Sequence, residues 1–219
     1  SPRDTGFFID GHRLPYLYHF GGGPAVFNIR FLENLSFFPG GAPVEFGRLT
    51  AGLVAVDSRD PRANQLHGEA YVELAQAGIF LQIPLGKHLS LALGFNRSYL
   101  EVVQLLLPFL LPKFNDIRYW DYQAKLTFQY ERWTATLFVF GSDDLVDFPG
   151  ELGDAYLTLL GGEALFVSTR FLRAIALVKY KHKRFSFRLS IATGFDQDLY
   201  KDDAANSDTV RLPVEMRAE

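Results

Sequence analysis

Two histidines bracket a short aromatic run, "HRLPYLYH", with Arg13, Tyr16 and Tyr18 lying between His12 and His19. Tyrosine and arginine can contact an anionic or aromatic ligand through hydrogen bonds and stacking. The same loop packed against neighbouring structure is the other reading. A metal bound directly by His12 and His19 would need a third ligand, and the sequence offers no obvious one, so no metal site is assigned.

The remaining chemistry-bearing stretches carry less. "GSDDLVDF", with Asp143, Asp144 and Asp147, and "DQDLYKDD", with Asp196, Asp198, Asp202 and Asp203, resemble calcium loops only superficially. Neither has the glycine and closing glutamate of an EF-hand, and both read as acidic solvated loops. "FGGGP" lacks the Gly-Lys-Ser/Thr that completes a phosphate loop, and "GRLTAG" holds no nucleophilic serine. No catalytic residue and no cofactor is therefore assigned, and a non-enzyme is expected. Cysteine is absent, which excludes disulfides, thiolate metal sites and cysteine nucleophiles from this chain. A net charge of -3 gives no pull toward nucleic acid, and the basic run Lys179, Lys181, His182, Lys183, Arg184 reads as a turn between strands.

The elements that must position these residues are mostly strands. Of 219 residues 15% are aromatic, with 21 Phe and 10 Tyr against one Met, a bias toward strand formers. In "DYQAKLTFQY" Tyr122, Ala124, Leu126, Phe128 and Tyr130 share one face, and Asp121, Gln123, Lys125, Thr127 and Gln129 share the other. "KHLSLALGF" and "RFSFRLSIATGF" alternate in the same way, and further strands are expected over 66–76, 78–85, 133–142 and 171–181, about seven in all. Links at 85–87 and 131–132 are short and those at 98–117 and 143–169 are long. That inequality, with rings near strand ends (Tyr99, Tyr119, Trp120, Tyr130, Trp133, Tyr180, Tyr200), suits an outer-membrane barrel wall. Earlier in the chain "FFIDG" reads as a strand into a turn, and "AVFNIRFLENL" as about three turns of helix. "YLEVVQLLLPFLL" reads as a short amphipathic helix or folded loop; Pro108 breaks it and it is too short to span a bilayer as a helix. The first residues show no secretory signal.

Residues 35–61, "LSFFPGGAPVEFGRLTAGLVAVDSRDP", resemble the end of the plug domain of TonB-dependent outer-membrane receptors. Leu35 to Phe38 stand for the family's strand, Gly40 for the glycine of its Arg-Gly-Pro, Phe46, Gly47 and Arg48 for "YGR", Gly52 for one of its paired small residues, and Val54 to Pro61 for its closing strand. Pro39 and Gly41 replace the family's Arg and Pro. Upstream, Asp10 and Gly11 of "FFIDG" match a plug strand and turn.

The resemblance implies an all-β fold with a small α/β plug portion: the C-terminal part of a plug over 1–62, then the first strands of a transmembrane barrel over 63–219. Receptors of this type close about 22 strands around a plugged lumen, so a segment of a larger or split protein is expected. The segment begins inside the plug, and the TonB-contacting region would precede it. The implied setting is the bacterial outer membrane, and the implied work is energised uptake of a scarce ligand. Implied partners are outer-membrane lipid, an inner-membrane TonB-type protein, and the remaining barrel strands or other subunits of an assembly. The loop holding His12, Arg13, Tyr16, Tyr18 and His19 would then be exposed toward the ligand. Two alternatives stand beside this: a structural or adhesive outer-membrane barrel subunit, and a soluble β-sandwich binding module.

Overall fold

The computed structural model describes all residues except 1–4, 42, 45, 47–51, 62–64, 110–113, 149–165, 202–205 and 219. Two sheets face each other. The small one is four-stranded in the order β2-β1-β4-β3, from β1 (Gly6–Ile9), β2 (His12–Leu14), β3 (Leu32–Phe38) and β4 (Leu53–Ser58). Here β1 pairs β2 through a tight turn and runs parallel to β4, so a long connection must carry the chain between them. "AVFNIRFLENL" is not a helix. Asn28 accepts from the Arg30 amide and starts a single 3-10 turn at Ile29–Phe31, after which Leu32–Phe38 pairs with β4. Sheet pairing overrides a weak helical periodicity here.

The large sheet is an antiparallel meander of β5 (His67–Val72), β6 (Gln76–Pro84), β7 (Leu89–Ser98), β8 (Asp116–Tyr130), β9 (Trp133–Asp147), β10 (Phe166–His182), β11 (Phe185–Lys201) and β12 (Asn206–Arg211). A further strand, β13 (Val214–Ala218), pairs the other half of β11, so β12 and β13 form one ladder interrupted at Leu212 and Pro213. Proline has no amide to donate, which suits such a break. Strands β8 to β11 are longer than expected. Asp143, Asp144 and Asp147 therefore lie on β9, and Asp196 and Asp198 on β11, rather than in solvated loops; Asp202 and Asp203 lie outside the described residues. The helix expected near residue 100 is present as α1 (Leu100–Leu106).

Alternation on the large sheet sorts its two faces. Toward the small sheet β8 presents Tyr119, Asp121, Gln123, Lys125 and Thr127, all buried, and β9 presents Phe138, Phe140, Ser142 and Asp144. On the other face apolar side chains stay open, Leu137 at 45% and Ile191 at 48% exposure. Its rows are in register. Tyr130, Trp133, Tyr180 and Phe187 line up across four strands at the short-turn end, and Arg97, Trp120, Asp143 and Arg170 line up near the long-loop end. Ten residues of β8 separate the rows, or about 34 Å along the strand. At a tilt of about 40° this leaves about 25 Å of height, the thickness of a lipid-facing apolar band. A soluble sandwich would cover that face with another sheet, and its exposure argues against one. Tyr119 departs from the expected ring pattern, turning inward with no exposure.

The core lies between the sheets. Phe31 stacks on Phe138 at 5.7 Å and meets Phe80 and Phe27 edge-on at 5.3 and 6.5 Å. Gly94 lies beneath it, where an added Cβ would sit 2.8 Å from the Phe31 ring. Phe31 is 1% exposed, so Phe31→Ala in the full-length protein should cost about 3–5 kcal/mol. The check is the shift of the urea unfolding midpoint at unchanged m-value.

Candidate functional site

Polar contacts between the two sheets lie on the segment that follows β1 and at the end of β4. Asp10 (φ 49°) and Gly11 (φ 86°) both lie in the left-handed region, and the glycine supplies that conformation without strain. The Asp10 carboxylate accepts from the Ser58 amide at 3.0 Å and from the Ser58 hydroxyl, tying β1 to the end of β4. The turn's carbonyls are taken by the large sheet: Arg188 donates to Asp10 O and Arg217 to Gly11 O, each at 2.8 Å.

Lys125 points from β8 into this region with 1% of its side chain exposed. Its three N–H donors go to Ser58 O (3.0 Å), Ser58 Oγ (2.8 Å) and Arg59 O (3.1 Å). Asp60 Oδ1 lies 2.8 Å from the ammonium and balances its charge. A buried lysine needs both kinds of partner, and the "DSRDP" exit supplies them.

His12 and His19 mark the two ends of the next stretch. Neither is exposed as expected: His12 is 2% and His19 0% exposed, because both turn toward the large sheet. His12 places Nε2 2.9 Å from Ser190 Oγ and Nδ1 3.3 Å from Glu215 Oε2, while the Arg13 amide donates to the same carboxylate at 3.2 Å. That has the connectivity of a charge-relay triad. Ser190 is 1% exposed, however, and the adjoining cavity measures about 10 Å³, so no acyl substrate reaches it.

His19 lies flat on Tyr119, ring centroids 3.7 Å apart. Its Nδ1 is 2.7 Å from Asp144 Oδ1 and its Nε2 3.4 Å from Asp121 Oδ2. Ser142 Oγ and the Phe20 amide also donate to Asp144, at 2.6 and 3.2 Å, and Asn96 donates to Asp121 at 2.8 Å. Burial opposes charge on the imidazole, but hydrogen bonds to the two carboxylates outweigh it and hold the His19 pKa above its ordinary value. Tyr16 is pushed far up, by burial first and by Asp144 next, and stays protonated.

The histidines thus anchor the segment, and exposure is left to Arg13, Pro15, Tyr18 and Phe20, with Tyr16 half-buried. Of the other expected residues, Phe46 packs edge-on to Phe8 at 5.0 Å and lies under the Arg217 guanidinium at 4.9 Å. Gly52 sits where an added Cβ would meet Phe38 O at 3.2 Å, whereas at Gly40 nothing lies within 4 Å. Gly47 and Arg48 lie outside the described residues. Sequence reasoning missed Lys125, Asp121, Asp144, Ser190, Arg188, Glu215 and Arg217. For Lys125 and Asp121 a signal exists: both charges sit on the polar face of an alternating strand, where something must satisfy them.

The arrangement defines a class first: part of an antiparallel barrel wall, apolar outside, with a small mixed sheet seated against its polar inner face. Solved structures of that class superpose on the chain. The siderophore receptor PirA from Acinetobacter baumannii matches all of it with a TM-score of 0.67 at 14% identity. The ferric enterobactin receptor PfeA from Pseudomonas aeruginosa, as a double mutant, matches all of it with a TM-score of 0.68 at 13% identity. The outer membrane transporter YddB from Escherichia coli matches 96% of it with a TM-score of 0.60 at 12% identity. The chain spans 37%, 38% and 35% of those three chains. No family model and no curated protein matches the sequence. The shared fold is that of the receptors whose plug signature residues 35–61 resemble.

Lys125→Met removes a buried charge but leaves Asp60 and two carbonyls facing apolar atoms. The expected loss is about 3 kcal/mol or more, measured by urea unfolding of the full-length protein.

Proposed function

We propose that the chain is a section of a TonB-dependent receptor-like protein of the bacterial outer membrane, working in energised uptake of a scarce ligand such as a metal chelate. Residues up to about 62 form the closing part of the plug, and those beyond form the first strands of the barrel. The observation that carries this reading is the seating of the small sheet. It covers the polar inner face of a wall whose outer face is an apolar band edged by aromatic rings.

A plug held by polar contacts can shift without unfolding the wall. The ligand is met by the exposed side chains of the anchored loop, where Arg13 supplies positive charge and Tyr18 a ring and a hydroxyl. His12, His19 and Tyr16 hold that loop in place from behind. Energy comes from an inner-membrane TonB-type partner acting on a plug region upstream of this chain, and outer-membrane lipid and the remaining barrel strands complete the setting.

The test uses the full-length protein in the outer membrane of a host lacking its own ferric enterobactin receptor, supplied with radio-iron as ferric enterobactin. Accumulation should occur and should collapse with a protonophore. Arg13→Ala combined with Tyr18→Ala should raise the half-saturating concentration about tenfold at unchanged maximal rate, equivalent to about 1.4 kcal/mol of binding. Accumulation that survives the protonophore sinks energised uptake, and no accumulation sinks the metal-chelate reading.

A further inference from the structure

His19 reaches two wall strands at once, as His12 does, but through two carboxylates. Its two ring nitrogens point in opposite directions, to Asp144 on β9 and to Asp121 on β8. A neutral imidazole carries a single N–H, so it would donate to one carboxylate and turn a lone pair toward the other. Only the imidazolium donates to both. All three side chains are at least nine-tenths buried, so a donor or acceptor left unmatched among them is costly. The titratable groups that face the ring are those two carboxylates and the phenol of Tyr119 on β8; Tyr16, in the preceding loop, lies near Asp144, and Asn96 and Ser142 complete the surroundings with neutral donors.

The backbone beside the ring is held in an uncommon shape. Phe20 adopts φ 55° and ψ 21°, a left-handed conformation that costs a non-glycine residue free energy unless its surroundings fix it. What fixes it is the same carboxylate, since Asp144 Oδ2 accepts from the Phe20 amide. The amides of Gly22 and Gly23 close back on His19 O at 3.3 and 2.7 Å, and a Cβ at Gly23 would stand 2.8 Å from that oxygen. One cluster therefore holds both the ring and the turn.

We propose that His19 is a protonation-controlled latch between plug and wall: as imidazolium it bridges Asp121 and Asp144 and keeps residues 13–20 closed on the wall, and loss of its proton releases them. This rests on the reading of residues 13–20 as the ligand-facing plug loop. The His19 pKa is raised in the folded protein, so the latch is complete below the ordinary value of about 6.5 and is lost as pH rises through the raised value. Release lets Phe20 leave the left-handed region, so opening is favoured locally once the bridge is cut.

Hydrogen–deuterium exchange on the full-length protein, without ligand, tests the latch. Peptides covering residues 12–24 are followed from about pH 5.5 to 9, with the intrinsic pH dependence of exchange divided out. Protection of this stretch should fall by about tenfold or more as pH rises, while β8 and β9 keep theirs. In His19→Gln the stretch should be open throughout, with a flat profile. Should that variant not fold, Asp121→Asn leaves Asp144 and Ser142 in place and should move the transition to lower pH. A flat wild-type profile overturns the latch, as does an unchanged transition in either variant. Because no transport is measured, failed uptake would leave a positive exchange result standing, and a failed latch would leave uptake standing.

Discussion

A strand that turns Asp121, Gln123 and Lys125 to one side and Tyr122, Ala124, Leu126 and Phe128 to the other must have polar partners on the first side and none on the second. That constraint governs the rest of the structure. Lys125 is the sharpest case, because a buried ammonium with an unmet donor costs more than most single packing contacts supply. Its donors end on Ser58 and Arg59, so the end of β4 can sit in one place only. Register follows from the same fact. Slipping β8 by one residue against its neighbours would carry Lys125 and Asp121 into the apolar band and the aromatic rings into the core.

Polar contacts of this kind lie on both sides of a dry zone. Asp121 and Asp144, near the long-loop end, take His19; Lys125, further toward the short turns, takes Ser58 and Arg59. Among them Phe27, Phe31, Phe138, Phe140 and Phe171 form the apolar filling, and Gln123 donates to Val26 O to close a gap in it. Aromatic contacts tolerate sliding because dispersion is spread over many atom pairs and has little direction. Hydrogen bonds do not. The position of the small sheet is therefore set by a few directional contacts and its affinity by the rings, so cutting the directional contacts frees movement while much of the burial is kept.

Strands β5 to β11, their alternation and the plug-like strand and turn at Phe7 to Gly11 were legible in the sequence, since period-two patterning and Asp-Gly turns are local signals. So was the sense of the polar face, whereas the short β12 and β13 were not. The strand at Leu35–Phe38 was legible only through the plug resemblance, and its start at Leu32 was not, because its ladder partner, β4, lies some twenty residues further on and the local periodicity favoured helix. Burial of His12 and His19 was also hidden. Nothing within "HRLPYLYH" shows that Ser190, Glu215, Asp121 and Asp144 stand opposite, and those partners lie more than one hundred residues away. The acidic runs misled for a related reason: Asp143 and Asp144 are neighbours in sequence, yet on a strand they point to opposite faces, one to Arg170 outside and one to His19 within.

The choice of histidine at position 19 has a physical consequence of its own. Arginine would also answer two carboxylates, but with a charge fixed at every accessible pH, and lysine, a point charge on a flexible stem, would forgo the flat contact with Tyr119. Glutamine would keep some hydrogen bonding and leave Asp121 and Asp144 facing each other without a cation. Imidazole fits the slot between two strands as a rigid plane with a donor at each edge, and its ordinary pKa lets it surrender the charge without leaving the site. A contact that must be firm at rest and breakable without unfolding the wall has few other solutions in this geometry.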